Sequence, residues 1–214
     1  MNLRINNSKI LNLAQTLKNG DLAGLQSQLK AAPSYRKSSF TQEKLQTCRK
    51  ASVLILLFPS PENEGDKDGE IQGVLIERSE YDGVHSKQIG FPGGEKDSDD
   101  IDDIHTAIRE CKEEIGVDVK RQDVLGPLTP LYIPPSNFLV TPYVAWLPSR
   151  PKLILDTKEV ASTLIFKLSE LSDDSRWRGY NVNDIMVPGI EIDKHLVWGA
   201  TAMMLREFID TFAK

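Results

Sequence analysis

The sequence predicts an α/β/α sandwich with a mixed sheet, preceded by a short helical extension. Apolar segments of strand length and amphipathic segments of helix length follow one another in the order strands, helix, strands, helix. The series opens with two strands that resemble a hairpin, which disfavours a doubly wound parallel sheet. A chain of 214 residues is long enough for one sizeable domain with such an extension.

Residues 1–49 are predicted to form the helical extension and a polar connector, and residues 50–214 to form the main domain. Apolar residues recur at helical spacing from 10 to 17 and again from 22 to 32. Gly20 separates these two predicted helices, because glycine readily adopts the left-handed conformation that ends a helix.

The main domain is predicted to contain several short strands, since runs of Val, Ile, Leu and Phe are bounded by Gly, Pro and Asn. The predicted strands are residues 52–58, 71–77, 89–91, 126–132, 140–147 and 164–166, with a hairpin of 185–187 and 189–192. The predicted helices are residues 101–115, 168–171 and 198–212. Residues 92–94 are predicted to form a turn.

The helix at 101–115 has a clear apolar stripe, with spacings of three and four residues. The stripe consists of Ile101, Ile104, Ile108, Cys111 and Ile115. Asp99 and Asp100 lie where an N-cap and the helix dipole favour carboxylates, and Gly116 is placed to end the helix. The opposite side of this helix is strongly acidic.

Composition and charge limit the function classes. The formal net charge of -5 disfavours nucleic acid as a sequence-independent partner, because phosphate binding needs a basic face. Cys48 and Cys111 are far apart and have no metal-ligand spacing. The N-terminus lacks the apolar core of a signal peptide, and no apolar run approaches the roughly 20 residues of a membrane span. We therefore expect a cytoplasmic protein with no membrane partner.

The acidic side of the helix is the candidate site. Glu110, Glu113 and Glu114 lie at i, i+3 and i+4, so their Cβ atoms are about 5–6 Å apart on a helix. Such residues form either a solvated acidic face, with Arg109 paired to Glu113, or a site for a divalent cation. Gly94 favours the second interpretation, because backbone without a side chain can approach a ligand closely. Mg²⁺ is held by a few carboxylates, waters and substrate phosphates.

Residues 93–117 resemble the Nudix box, Gly-x5-Glu-x7-Arg-Glu-U-x-Glu-Glu-x-Gly-U, in which U is apolar. The second half, from Arg109 to Val117, matches at every specified position. The first half departs from the pattern, because Ile101 stands where a glutamate eight residues before the arginine is expected. The spacing from Gly94 to Arg109 is also one residue longer.

This departure resembles one branch of the family, the coenzyme A pyrophosphatases. The similar features are Phe91-Pro92-Gly93-Gly94, Asp97, Asp100 and the segment 106–110. Further similar segments are 75–79, 85–91, 132–142 and 198–202, although Lys87 replaces the glycine that is usual in the second of them. The resemblance covers residues 50–214 and implies a Nudix-type α/β/α sandwich.

The resemblance implies roles for individual residues. Glu110 and Glu114 would be the principal ligands of Mg²⁺ or Mn²⁺, and Glu113 would be a further ligand or would orient water. Gly94, or alternatively Gly93, would offer its carbonyl oxygen. Arg109 would hold the glutamates in place, and an aspartate (Asp97, Asp100 or Asp102) would replace the missing upstream glutamate.

The activity that the resemblance implies is metal-dependent hydrolysis of the diphosphate bond of coenzyme A or acyl-CoA. The alternatives are an enzyme of the same fold acting on ADP-ribose or a nucleoside triphosphate, and a catalytically silent module for ligand sensing or protein binding. The intact glutamates argue against the silent module. A homodimer is a further expectation from the family.

Four residues are weaker candidates for substrate contacts. Arg78 and Lys87 would meet phosphates, although a single basic residue is usually just an exposed cation. Phe138, after Pro134-Pro135, would line a substrate pocket. Glu159 resembles a residue that approaches the metal site in several Nudix enzymes, but a surface position is its more ordinary role.

Overall fold

The computed structural model describes residues 5, 7–36, 47–63, 69–80 and 88–214. The strands in these ranges are β1 (Arg49–Pro59), β2 (Ile71–Arg78), β3 (Ile89–Gly90), β4 (Gly93–Glu95), β5 (Val124–Pro127), β6 (Leu131–Ile133), β7 (Phe138–Trp146), β8 (Val160–Lys167), β9 (Trp177–Val182), β10 (Ile185–Ile192) and β11 (His195–Trp198). The helices are α1 (Ser8–Asn19), α2 (Gly24–Lys30), α3 (Asp103–Ile115), α4 (Leu168–Leu171) and α5 (Gly199–Phe212).

Strand β1 is the centre of the main sheet. It pairs in parallel with β7 and antiparallel with both β2 and β4. β2 continues the sheet through antiparallel β3 and β8, and β7 does so through antiparallel β5 and β6. The sheet is therefore mixed, as predicted, and its first two strands pair antiparallel.

The side chains of β1 alternate between two hydrophobic layers, as the period of a strand requires. Leu54, Leu56 and Phe58 pack on the same side as the apolar face of α3. Ile55 and Leu57 point to the other side, where they share a core with residues of α1 and α5. The sheet thus lies between helices on both faces, which confirms the predicted α/β/α sandwich.

Helix α1 begins and ends as the sequence indicates. The Asn7 side chain caps it by accepting hydrogen bonds from two backbone amides, and Gly20 ends it with a φ of 69°. Its buried residues Ile10, Leu13 and Leu17 belong to the core that contains α5. The N-terminal helices are therefore packed against the sheet and the C-terminal helix.

Helix α2 is fastened to α5 by a buried polar network. Glu207 Oε2 accepts a hydrogen bond from Gln28 Nε2 at 2.6 Å, and Glu207 Oε1 accepts one from Thr129 N at 3.0 Å. Gln28 Nε2 also donates to the Thr129 carbonyl at 2.9 Å. Three distant segments of the chain meet at this carboxylate.

Two predictions near α3 are wrong. Gly93–Glu95 is a strand and not part of a turn, because it pairs with the first half of β1. The helix begins at Asp103, and its N-cap is Asp102 in place of Asp99 or Asp100. Ile101 therefore precedes the helix and is 85% exposed, outside the apolar stripe. Gly116 does end the helix, with a φ of 71°.

Two strand predictions also need correction. The predicted strand at 126–132 is two short strands, β5 and β6, which pair with different parts of β7. The predicted hairpin at 185–192 is the single strand β10. It is the middle strand of a separate antiparallel sheet between β9 and β11.

Candidate active site

The candidate site lies where β4 meets helix α3. Gly94 is paired with Ser52 of β1, and the Glu110 carboxylate rests directly on its backbone. A Cβ atom added to Gly94 would lie 2.4–2.5 Å from the carboxylate atoms of Glu110. A side chain at this position would displace the Glu110 carboxylate, so glycine allows the backbone of β4 and this carboxylate to be in contact.

Glu114 is the most buried carboxylate of the site, with 0% exposure. Its Oε2 accepts a hydrogen bond from Gly93 N at 2.7 Å. Its Oε1 lies 3.2 Å from Arg78 Nη2 but accepts no hydrogen bond from any described residue. Burial raises the pKa of Glu114 to about 7, against the lowering effects of Arg78 and the Gly93 amide.

Arg109 links the side chains of Glu110 and Glu113. Its Nη1 donates to Glu110 Oε1 at 2.8 Å and to Glu113 Oε2 at 2.9 Å. Its Nη2 also donates to the Glu95 carbonyl at 3.2 Å. The guanidinium therefore spans the space between β4 and α3.

Glu110 and Glu113 have different surroundings. The Glu110 side chain is only 15% exposed, and burial raises its pKa although Arg109 counteracts this. The Glu113 side chain is 56% exposed and forms the i,i+4 pair with Arg109 that belongs to the interpretation as a solvated acidic face. Glu110 and Glu114 thus lie inside the site, whereas Glu113 lies at its rim.

Asp100 is the buried acid that meets Arg109. Its two carboxylate oxygens accept hydrogen bonds from Arg109 Nε at 3.0 Å and Arg109 Nη2 at 2.9 Å. These bonds hold the pKa of Asp100 well below its usual range. Asp102 caps α3 and pairs with Arg121, and Asp97 is exposed. Of the three aspartates that the sequence leaves open, Asp100 alone contacts the arginine of the box.

Glu159 is exposed and precedes strand β8. Its carbonyl accepts a hydrogen bond from Ser79 N at 2.8 Å, which fixes it beside the end of β2. The negative charge of its carboxylate contributes to raising the pKa of both Glu110 and Glu114. The structure therefore brings Glu159 into the electrostatic surroundings of the site.

A cavity of about 920 Å³ adjoins the glycine pair. Arg78 and Phe138 both line it, and Arg78 Nη2 donates to the Gly93 carbonyl at 2.6 Å. Arg49 lies over the Phe138 ring, 4.3 Å from its centroid. Lys87 lies outside the described residues.

Several cavity residues could not be found by sequence reasoning. Tyr35 and Arg36 come from the N-terminal part of the chain, and Trp198 and Met204 come from its C-terminal part. Trp198 begins the segment 198–202 that resembles the coenzyme A pyrophosphatases, whereas Tyr35, Arg36 and Met204 belong to no motif. Only the packing of the terminal segments against the sheet brings them together.

The donor set fits a hard divalent cation. The available atoms are carboxylate and carbonyl oxygens, and Glu114 Oε1 keeps acceptor capacity at a buried position. Among the described residues, no three His, Cys, Asp or Glu side chains form a ready-made metal cluster.

No helix in the described part of the chain is long and apolar enough to cross a membrane.

Comparison with known proteins identifies the relatives of this chain. The family model described as NUDIX domain matches residues 36–185. The uncharacterized Nudix hydrolase NudL of Yersinia pestis (strain Pestoides F) is 33% identical over 167 residues, which cover 75% of this chain and 78% of that protein. NudL of Yersinia pseudotuberculosis serotype O:1b (strain IP 31758) matches to the same extent.

Solved structures show the same fold. A MutT/nudix family protein from Enterococcus faecalis superposes with a TM-score of 0.56 at 15% identity, over 84% of this chain and 73% of that one. A MutT protein from Methanosarcina mazei Go1 gives a TM-score of 0.50 at 15% identity, over 78% and 98% of the two chains.

Proposed function

Because the chain belongs to the Nudix hydrolase family, we propose that it hydrolyses the diphosphate bond of coenzyme A or an acyl-CoA. The products would be 4′-phosphopantetheine, or its acyl form, and adenosine 3′,5′-bisphosphate. Family membership itself makes the protein a pyrophosphohydrolase of nucleoside diphosphate derivatives that uses a divalent metal ion. Coenzyme A as the substrate, and Mg²⁺ or Mn²⁺ as the ion, are the proposal.

The observation that carries the proposal is the cavity beside Gly94. Its volume of about 920 Å³ is at the upper end of the roughly 300–1,000 Å³ typical of ligand sites. Most of its wall is apolar, which suits the pantetheine arm and an acyl chain, whereas its glycine side suits a diphosphate. The Phe91–Gly94 segment, on which the resemblance to coenzyme A pyrophosphatases rests, forms part of this wall.

Glu110, Glu114 and the Gly94 carbonyl would hold the cation, and Glu113 would complete its surroundings as a ligand or by orienting water. A bound divalent cation lowers the pKa of its water and neutralises charge on phosphoryl oxygens. Arg109 would keep the Glu110 and Glu113 carboxylates in place through the hydrogen bonds described above.

The remaining steps would use the side chains around this centre. Arg78, in the cavity wall, would contact the diphosphate of the substrate. Glu159 would accept a proton from the attacking water, because its carboxylate is exposed and lies near Glu110 and Glu114. The water would attack one phosphorus in line with the departing phosphate.

The test is product analysis with purified protein, Mg²⁺ or Mn²⁺, and a panel of coenzyme A, acetyl-CoA, ADP-ribose, NADH and dNTPs. We expect coenzyme A or its thioester to give the highest kcat/KM and to release adenosine 3′,5′-bisphosphate. Rapid turnover of another compound with coenzyme A untouched would contradict the proposal. Absence of turnover on the whole panel would favour the catalytically silent alternative.

A further inference from the structure

Arg78 contacts two of the oxygen atoms that are candidates to hold the cation. Its Nη2 donates a hydrogen bond to the Gly93 carbonyl at 2.6 Å and lies 3.2 Å from Glu114 Oε1. The other carboxylate oxygen of Glu114, Oε2, accepts the hydrogen bond from Gly93 N. Oε1 is therefore the Glu114 atom with free capacity to bind a cation, and the guanidinium of Arg78 lies beside it.

The sheet directs the Arg78 side chain to this place. The pairing of β2 with β8 shifts register between Glu77 and Arg78, and such an irregularity re-aims the side chain next to it. Directly after Arg78 the backbone is fixed, because Ser79 N donates to the Glu159 carbonyl at 2.8 Å. The Arg78 side chain is 26% exposed and borders the cavity, so it has room to turn while the strand stays in place.

The guanidinium of Arg78 and a divalent cation compete for the same carboxylate oxygen. Two positive charges close to one buried atom repel each other strongly, because little water screens them. Glu114 is 0% exposed, so a cation that binds Oε1 must displace the guanidinium. Until a cation binds, the guanidinium balances a carboxylate whose burial alone would cost much free energy.

We propose that Arg78 competes with the divalent cation for Glu114, and that binding of the cation releases the guanidinium to the diphosphate of the substrate. The second half rests on the proposed function, because the diphosphate belongs to that substrate. A guanidinium suits this transfer, since its fork of N–H groups matches both carboxylate and phosphate oxygens. Arg78 would thus lower the affinity for the cation and raise the affinity for the substrate.

Mn²⁺ binding to the full chain tests the competition without any substrate. Electron paramagnetic resonance measures free Mn²⁺ at pH 8.5 in oxygen-free buffer, well above the pKa of about 7 of Glu114. The variants are Arg78→Met and Arg78→Gln, which both lose the positive charge. The control is Arg49→Met, which removes an arginine paired with Glu95, the neighbour of Gly94 in β4.

We expect Arg78→Met to bind Mn²⁺ at least about tenfold more tightly than the wild type, because no guanidinium has to be displaced. Arg49→Met should stay within about twofold of the wild type. In thermal unfolding with chelator, Arg78→Met should be less stable than the wild type, since Glu114 loses its counter-charge. The same concentration of Mn²⁺ should then raise its Tm by more.

The KM for coenzyme A should change in the opposite direction and rise at least about tenfold in Arg78→Met. A purely structural role would weaken the binding of cation and substrate together. A KM that stays at the wild-type value would overturn the transfer of the guanidinium to the diphosphate.

Wild-type or weaker Mn²⁺ affinity in Arg78→Met would overturn the competition. An equal gain in Arg49→Met would do the same, because the effect would then come from net charge alone. If Arg78→Met does not fold, Arg78→Gln decides in the same way, since glutamine is neutral and can donate a hydrogen bond. If coenzyme A is not cleaved while Arg78→Met binds Mn²⁺ more tightly, the proposed function fails and the competition stands.

Discussion

Two buried glutamates on helices of this protein differ in how many of their carboxylate oxygens accept hydrogen bonds. Glu114 on α3 and Glu207 on α5 are both 0% exposed. Both oxygens of Glu207 accept hydrogen bonds, from Thr129 N and Gln28 Nε2. Glu114 accepts one, from Gly93 N, and its Oε1 lies beside Arg78 without a hydrogen bond from the described residues.

The difference distinguishes a carboxylate whose oxygens are both hydrogen-bonded within the fold from one that can still accept a bond from a ligand. A buried polar atom that is fully hydrogen-bonded stabilises the fold, whereas one with unused acceptor capacity costs free energy. Such a cost at Glu114 is consistent with a role in binding a cation. Burial alone would not have distinguished the two residues.

The largest expected effect comes from Glu114→Gln. The variant keeps the shape of the side chain but loses a negative charge at the proposed cation site. We expect kcat/KM to fall by about a thousandfold, equivalent to about 4 kcal/mol, with little loss of stability. Steady-state kinetics and urea unfolding measure the two quantities.

Glu207→Gln is the matched control. Its amide NH₂ cannot accept the hydrogen bond that one carboxylate oxygen accepts now, so we expect a loss of about 2 kcal/mol of stability. The kcat/KM of the folded variant should stay near that of the wild type. Full activity of Glu114→Gln, or equal losses of activity in both variants, would remove the distinction between them.

The second prediction concerns pH. Burial raises the pKa of Glu114 from 4.5 to about 7, so the folded protein retains a proton that the unfolded chain releases near pH 4.5. The stability that this proton provides is present below pH 4.5 and is lost as the pH rises through about 7. The loss is worth about 3 kcal/mol.

Urea unfolding of chelator-treated protein at pH 5 and pH 7.5 measures this effect. The wild type should lose stability between the two values, and Glu114→Gln should lose distinctly less, since an amide does not titrate in this range. A fall of equal size in both proteins would show that other groups cause it.

The structure around the second half of the box can be predicted from the sequence, because it depends on residues that are neighbours along the chain. Helical periodicity places Glu110 and Glu114 on one side of α3, and Gly116 ends the helix. The role of Asp100 could not be predicted in the same way. The three candidate aspartates, Asp97, Asp100 and Asp102, all lie just before the helix, and their side chains are distinguished by burial and by contact with Arg109.

The C-terminal sheet shows a second limit of the sequence. Pro188 and Gly189 resemble a turn, yet they lie inside β10. The actual turns are at Asn183–Asp184 and Asp193–Lys194, where all four residues adopt positive φ. Asparagine and aspartate tolerate this conformation better than most residues, a signal weaker than Pro-Gly.

The smallest effect is expected from Asp100→Asn. This variant tests whether Asp100 positions Glu110 and Glu113 through Arg109. Asp100→Asn removes the charge that holds Arg109 Nε and Nη2, so we expect kcat to fall about tenfold while α3 stays folded. Asp102→Asn is the control, because asparagine caps helices as well as aspartate and the pair with Arg121 is exposed. Asp100→Glu should restore part of the activity, since it returns the charge. Equal activity of the Asp100→Asn and Asp102→Asn variants would mean that Glu110 and Glu113 are held in place without the contact between Asp100 and Arg109.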